Sequence, residues 1–300
     1  MPLNSPINDS GKKNREGNLY IVATPIGNRD DITIRALNIL EQADIIAAED
    51  TRHTGRFLSH HKIKGNLVSY HEHNEKKRTP DLIKKLKQGL SVALVSNAGT
   101  PSVSDPGYCL IKSAIANNIK VVPIPGVSAA ITALSAAGLP TDSFIFIGFL
   151  SKTKNKRFKQ LRELANEQRT MIFYESPKRI LKLLDEIKLI IGDRYCVLSR
   201  EMTKLHEEFI RGPVSEIFQN LKARPAIKGE ITLLVKGYIK DKNVPLEIIR
   251  QEIKKNMALT DNRISSIAKQ IATKYGLPKN KVYEEALKIK GEKGLDSKFS

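Results

Sequence analysis

The chain reads as an α/β protein: two α/β domains of one architecture, followed by a small helical C-terminal domain. Three observations predict this. From Asn18 to Lys236, short apolar runs alternate with segments of helical period, the pattern of βαβ units around a mostly parallel sheet. Run after run is followed by a polar or Gly/Pro-rich loop. At 300 residues the chain is also too long for one small core. The expected division is a disordered N-terminus at 1–17, an N-terminal α/β domain at 18–126, a second α/β domain at 127–238 and a basic helical tail at 239–300.

The elements follow in order. Leu19–Ala23 is a strand, and a Pro/Gly turn leads into a helix with apolar residues at Ile34, Leu37, Ile39 and Leu40. Ile45–Ala48 is the second strand and Thr51–His60 a short helix. Leu67–Tyr70 is the third strand, with Asp81–Gln88 inside the third helix. Val92–Val95 is the fourth strand. Asp105-Pro106 reads as an N-cap followed by proline at the first helical position, opening a helix that runs to about Asn117. Val121–Ile124 is the fifth strand, and Val127–Ala137 is a helix stopped by Gly138-Leu139-Pro140.

In the second half the strands are Phe144–Phe149, Met171–Tyr174, Tyr195–Ser199, Glu208–Arg211 and Ile231–Val235. The helices lie near Lys156–Ala165, Pro177–Ile190 and Val214–Leu221, the second with Ser176-Pro177 as cap and proline. Beyond Lys240 the chain carries 14 Lys/Arg against 8 Asp/Glu. Three helices fit there: Pro245–Lys255, Arg263–Lys274 and Lys279–Ile289. The last two are joined by Tyr275-Gly276-Leu277-Pro278, a spacing that resembles a helix-turn-helix; a bundle that only packs or dimerises fits equally well.

Fifty Lys/Arg against 32 Asp/Glu give a net charge of +18. Such a balance favours a polyanionic partner such as nucleic acid. Two cysteines, Cys109 and Cys196, argue against a disulfide framework and against a multi-cysteine zinc site. The apolar stretch Val127–Ala137 contains Ser128, Thr132 and Ser135 and is too short and too polar to span a bilayer. The polar N-terminus lacks the apolar core of a signal peptide. The expectation is a soluble, reduced, cytoplasmic protein with no membrane partner.

In parallel α/β sheets, ligands bind beyond the carboxyl ends of the strands. The loops expected at that edge are Thr24–Asn28, Glu49–Thr54, His71–Glu75, Ser96–Pro101 and Pro125–Ala130. None is the dinucleotide G-x-G-x-x-G or the phosphate-binding G-x-x-x-x-G-K-[ST]. Gly99 and Gly126 permit a close backbone approach to a ligand, and Ala98, Ser128, Ala129 and Ala130 leave room beside them; close helix–sheet packing also wants small residues. His53, His71 and His73 invite a metal reading, but their spacing lacks H-E-x-x-H and no metal is expected. Lys152, Lys154, Lys156, Arg157, Lys159 and Arg162 begin at a strand end with no acid among residues 152–162. Such a cluster suits phosphate contacts, although a solvated helix face is the plainer account.

Leu19–Asn28 (LYIVATPIGN), Ala47–Thr54 (AAEDTRHT), Val95–Gly107 (VSNAGTPSVSDPG), Ala129–Pro140 (AAITALSAAGLP) and Ile172–Ser176 (IFYES) resemble the bacterial small-subunit rRNA cytidine-2′-O-methyltransferases, the RsmI type. That family belongs to the tetrapyrrole-methylase superfamily of class III S-adenosylmethionine enzymes. The resemblance covers about Leu19 to Lys236, and the helical tail is similar to the family's C-terminal domain. It implies two α/β domains with S-adenosyl-L-methionine in the cleft between them, a homodimer, and a 16S rRNA or small-ribosomal-subunit substrate methylated on a decoding-centre cytidine. It also implies cofactor contacts from Asn97, Ala98, Gly99, Thr100 and Pro101 and from Gly126, Ser128, Ala129 and Ala130. Pro25 and Gly27 would close the other side, with Glu175 and Ser176 contributing from the second domain. Arg52, within AAEDTRHT, joins Lys152, Lys154, Lys156 and Arg157 as an expected RNA contact.

Two departures stand out. The family commonly has Asp where this chain has Asn97, which forms hydrogen bonds but takes up no proton. Pro125-Gly126-Val127-Ser128 differs from the frequent P-G-P. A ribose hydroxyl is a weak nucleophile, so a positioned base helps. Asp50, His53, Glu175 and Glu201 stand near strand ends, and His53 and Glu201 are the favoured candidates. Two rivals stay open: a methyltransferase acting on an acidic tetrapyrrole, and an RNA-binding assembly factor that has lost catalysis, which Asn97 would suit.

Overall fold

The computed structural model describes residues 17–239, 245–259, 263–275 and 279–296. Most of the segment expected to be disordered, 1–16, lies outside the described residues. Gly17 does not, and its amide donates to the Leu86 carbonyl at 2.7 Å.

The first sheet holds β1 (Leu19–Val22), β2 (Ile45–Ala48), β3 (Leu67–Ser69), β4 (Val92–Val95) and β5 (Val121–Ile124). Their order is β3-β2-β4-β1-β5 and every pairing is parallel. Side chains on successive strand residues face opposite sides, and the packing follows. Leu19, Ile21, Ile45, Ala47, Val92 and Leu94 meet α3 (Glu75–Lys87) and α4 (Tyr108–Ala116). Val22, Ile46, Ala48, Ala93 and Val95 meet α1 (Ile34–Gln42) and α2 (Thr51–His60). With both faces covered, β2 and β4 are buried at every position, which is why they read as unbroken apolar runs. A fully buried leucine such as Leu19 or Leu110 contributes about 1.5–3 kcal/mol.

The second sheet holds β6 (Phe144–Phe149), β7 (Thr170–Glu175), β8 (Tyr195–Arg200), β9 (Glu208–Pro213) and β10 (Ile231–Val235), in the order β6-β7-β10-β8-β9. Only β6 and β7 pair in parallel; the other three pairings are antiparallel. The expectation of a mostly parallel arrangement thus holds for the first sheet alone. The short connection from β8 to β9 carries no helix, and an antiparallel pair needs none. Met171, Phe173, Cys196, Leu198 and Leu233 pack with side chains of α6 (Lys154–Glu163), α7 (Ile180–Ile190) and α8 (Val214–Lys222). On the other face, Ile172, Val197 and Leu234 pack against α5 (Ala129–Ala137), Ile26 and Met202. That last cluster joins loops of the first sheet to the second.

Two expected helix starts are corrected. α4 opens at Tyr108 with Gly107 as its cap residue, at φ +142°, not at Asp105-Pro106; the Asp105 carboxyl bonds Ser96 instead. α7 opens at Ile180, after a turn in which the Arg179 amide donates to the Ser176 carbonyl, so Ser176-Pro177 precedes the helix rather than capping it.

The chain forms two compact units, the second starting at Tyr238. Within that unit α9 (Leu246–Leu259), α10 (Ile264–Tyr275) and α11 (Lys279–Asp296) enclose their own core of Ile253, Ile267, Ala268, Ile271, Val282, Ala286 and Ile289. The Gly276–Pro278 turn lies outside the described residues. Among the described residues, no helix is long and apolar enough to cross a membrane.

Candidate active site

The loops beyond the carboxyl ends of the first sheet are tied together. The Thr24 amide donates to the Gly99 carbonyl and the Gly99 amide to that of Thr24, each at 2.9 Å. Gly99 takes φ +76° to do this, a conformation that favours glycine. The Thr100 hydroxyl donates to the Val127 carbonyl at 3.2 Å, linking the loops after β4 and β5. The Ala130 amide, one of the free donors at the start of α5, donates to the Tyr174 hydroxyl at 3.1 Å.

Behind this frame lies an inner cavity of about 320 Å³. Ala98, Gly99 and Thr100 line it with Ser128 and Ala129 from the first half, and Glu175 and Ser176 with Phe149 and Tyr174 from the second. Seven of the expected cofactor residues therefore meet in one place. The others stand elsewhere. Pro25, Gly27 and Asn97 line an adjoining outer cleft of about 530 Å³, and Gly126 lines a separate groove. A Cβ on Gly126 would stand 2.8 Å from the Ala23 Cβ, so that glycine admits strand β1 rather than a ligand. Ala130 is buried and Pro101 lines none of these cavities.

The outer cleft shares Ile26, Ala98 and Glu230 with the inner cavity. His53 and Arg56 of α2 line it together with Arg29. Asp50 caps α2, its Oδ1 accepting from the amides of Arg52 at 2.8 Å and His53 at 3.2 Å; these bonds hold its carboxyl below the usual range. The exposed Arg52 occupies the first turn, where a cation opposes the helix dipole. Its placement does not serve the helix.

Glu201 is committed to structure. Its Oε1 accepts from Lys204 Nζ at 2.8 Å and from the Glu230 amide at 2.9 Å, and Lys204 lowers its pKa. Lys204 also reaches Glu230 at 2.9 Å. The backbone there is strained, with Glu201 at φ +51° and Thr203 at +66°. Gly27 abuts this loop: a Cβ on it would come within 2.5 Å of Lys204.

Asp105 and Ser104 line both the inner cavity and a third cleft, of about 660 Å³, bordered by Glu49, Asp50, His71, Glu72, His73, Glu75, Asn97 and Tyr108. Burial, then the nearby Glu49 carboxylate, push the Asp105 carboxyl up to about 6. The Asn97 amide donates to Glu49 Oε2 at 3.1 Å, while its side-chain oxygen is buried without a protein partner. His71 and His73 stand 6.0 Å apart by ring centroid. Among the described residues, no group of three His, Cys, Asp or Glu side chains is placed to hold a metal ion.

Lys152, Lys154 and Lys156 are exposed. Arg157 is not. It is 3% exposed, its guanidinium pairs with Glu186, and Nη1 donates to the carbonyls of Ser151 and Lys152. Its place among the RNA contacts is corrected: this residue anchors the lysine-bearing segment from below.

Over residues 18–217 the chain matches the model of the tetrapyrrole (corrin/porphyrin) methylases. A ribosomal RNA small subunit methyltransferase I of Halalkalibacterium halodurans is 47% identical over 278 residues, spanning 91% of this chain and 95% of that protein. The chain belongs to that methyltransferase family. The namesake in Thermotoga maritima is 48% identical over 221 residues, which make up 99% of that protein but 74% of this chain. Among solved structures, a uroporphyrin-III C-methyltransferase of Thermus thermophilus complexed with S-adenosyl homocysteine shares the fold. Its TM-score is 0.52 at 17% identity, covering 73% of this chain and 97% of that one.

Membership makes the chain an S-adenosylmethionine-dependent methyltransferase, and the inner cavity of this methyltransferase fits such a group. Its volume suits a compact ligand. Ile26, Val103, Phe149, Met202 and Ile231 offer apolar walls, and Asp105, Glu175 and Glu230 offer carboxylates to a cationic ligand with hydroxyls. Sequence reasoning missed two parts of the methyltransferase's site. Asp105 looked like a helix cap. Gly229–Thr232 line the cavity from the amino end of β10, where a search of strand carboxyl ends does not look.

Proposed function

We propose that the chain transfers the methyl group of S-adenosylmethionine to the ribose 2′-hydroxyl of a cytidine in the decoding centre of 16S rRNA. The observation that carries this reading is the adjacency of two spaces. One is a cavity of mixed apolar and acidic lining; the other is a cleft rimmed by Arg29, His53 and Arg56. Ala98–Thr100, Ser128, Ala129, Glu175 and Ser176 would hold the cofactor, which supplies a methyl group on a positively charged sulfur. The protein supplies orientation and exclusion of water.

Exposed cations serve an RNA substrate by neutralising phosphates without reading sequence. Arg52, Lys152, Lys154 and Lys156 suit that task. The enzyme works in the cytoplasm on 16S rRNA or the small subunit, as a homodimer. Ile131, half exposed beside the groove that Ile32 and Thr33 also line, offers apolar surface for a second copy. Mapping 2′-O-methylation along 16S rRNA from cells with and without this gene tests the reading. The expected result is one decoding-centre cytidine that loses its ribose methyl and regains it on complementation. Loss of a base methyl instead, or no loss, overturns it.

A further inference from the structure

We propose that Asp105 is the catalytic base, taking the proton of the hydroxyl that is methylated; this rests on the function proposed above. Three features of its position support the role. Asp105 borders the inner cavity and the acidic cleft at once, so a hydroxyl presented from the cleft toward the cofactor passes this carboxyl. The loop that carries it is held in unfavourable backbone: Ser102 stands at φ +67°, Ser104 at +65° and Gly107 at +142°. Such strain persists where the surroundings impose it, and it concentrates at working sites. A Cβ on Gly148, in the second sheet, would stand 2.8 Å from the Ser104 hydroxyl, so the loop is seated against the facing domain.

The other candidates are less well placed. Glu201 is neutralised by Lys204. Glu175 is 3% exposed, with Arg179 Nη2 at 3.0 Å and the Ser176 amide at 2.7 Å on its two oxygens. His53 lines the outer cleft but not the inner cavity.

The groups facing Asp105 are mostly acidic. Glu49 and Asp50 follow β2; His71, Glu72, His73 and Glu75 follow β3; Tyr174 and Glu175 end β7; Glu230 precedes β10. Burial and Glu49 hold its carboxyl near 6, with the Ser96 hydrogen bond opposing them. Above that pH it is a carboxylate able to accept a proton, and it is a stronger base than an ordinary aspartate. The step balances. As the hydroxyl oxygen bonds to the methyl carbon, its proton passes to Asp105; the carbon–sulfur bond breaks and its electron pair stays on sulfur. Asp105 then returns the proton to water. The acidic cleft also suits cytosine, whose exocyclic amine donates to carboxylates.

Single-turnover methylation of small subunits lacking the modification, followed between about pH 5 and 9, tests the role. The wild-type rate rises with pH to a plateau, with its midpoint near 6 as for the free carboxyl. In Asp105→Asn the rate falls about 10²–10⁴-fold and the inflection vanishes, while calorimetry shows cofactor affinity within about threefold, about 0.6 kcal/mol. Carbon-13 titration of Asp105 in the cofactor-free protein gives the same midpoint, and Glu49→Gln lowers it. A variant rate within tenfold of wild type with the inflection intact overturns the role of Asp105 and leaves the substrate reading standing. So does an inflection that disappears in His53→Gln instead. A wild-type protein that methylates no cytidine overturns the substrate reading, and an Asp105 midpoint in the ordinary aspartate range overturns its role independently.

Discussion

Arg157 and Glu186 close a two-pronged ion pair inside the second α/β half. Nε stands 2.5 Å from Oε2 and Nη2 2.7 Å from Oε1, with side-chain exposures of 4% and 6%. Breaking a buried pair by removing one partner costs about 3–5 kcal/mol, because the other charge is left uncompensated. Arg157→Ala is expected to lower unfolding free energy by that amount in urea titration. The double change Arg157→Met, Glu186→Leu should restore most of it. An Arg157→Ala protein of unchanged stability and weakened RNA binding contradicts the anchoring role.

The lysines that this pair supports face solvent, and Lys154 lies over the Phe158 ring at 5.3 Å. Neutralising Lys152, Lys154 and Lys156 together should weaken RNA binding and flatten its salt dependence, by roughly 0.7–0.9 in log–log slope for each phosphate no longer neutralised. Cofactor affinity should stay as it was. Filter binding across a salt series measures this; a slope equal to wild type removes the cluster from the RNA surface.

Asp105 also predicts a stability signature of defined sign. Its folded pKa of about 6 lies above the ordinary 3.8, so the folded state binds the proton more tightly. Its stabilising contribution is complete below the unfolded value and is lost as pH rises through about 6. Asp105→Asn cannot ionise and escapes that loss. The variant should melt close to wild type near pH 4 and above it at pH 8. A melting difference independent of pH contradicts the buried, partly protonated carboxyl.

The parts of this molecule that were legible in the sequence are those governed by local rules. The strands at Ile45–Ala48, Val92–Val95, Val121–Ile124 and Phe144–Phe149 fall where apolar runs placed them, because strands covered on both faces leave such runs. The loops at residues 98–100, 128–129 and 175–176 share one cavity, as the carboxyl-edge rule requires. What was hidden depends on tertiary context. Arg157 belongs to a basic run, and only Glu186, 29 residues further along the chain, makes it structural. Asp105 precedes a proline and has the local form of a cap, yet its carboxyl turns to Ser96. Gly229–Thr232 reach the cavity only because β10 runs antiparallel to both neighbours.

The substitution at Asn97 gives the last test. Its backbone amide bonds Glu49 Oε2, its side-chain oxygen is buried without a protein partner, and it borders the outer and acidic clefts together. An amide there can orient a ligand by hydrogen bonds but cannot serve as a base. With Asp105 taking the proton, the reaction has no need of a carboxylate at position 97. Asn97→Asp should therefore change the single-turnover rate by less than about tenfold, or 1.4 kcal/mol. The direction follows from charge. A further carboxylate beside Glu49 disfavours ionisation of Asp105, so the inflection in the pH–rate profile should move upward. The variant then lags wild type near pH 7 and catches up toward pH 9. A gain of a hundredfold or more from Asn97→Asp, at unchanged cofactor affinity, would mean that the base belongs at position 97 and that this chain works without it.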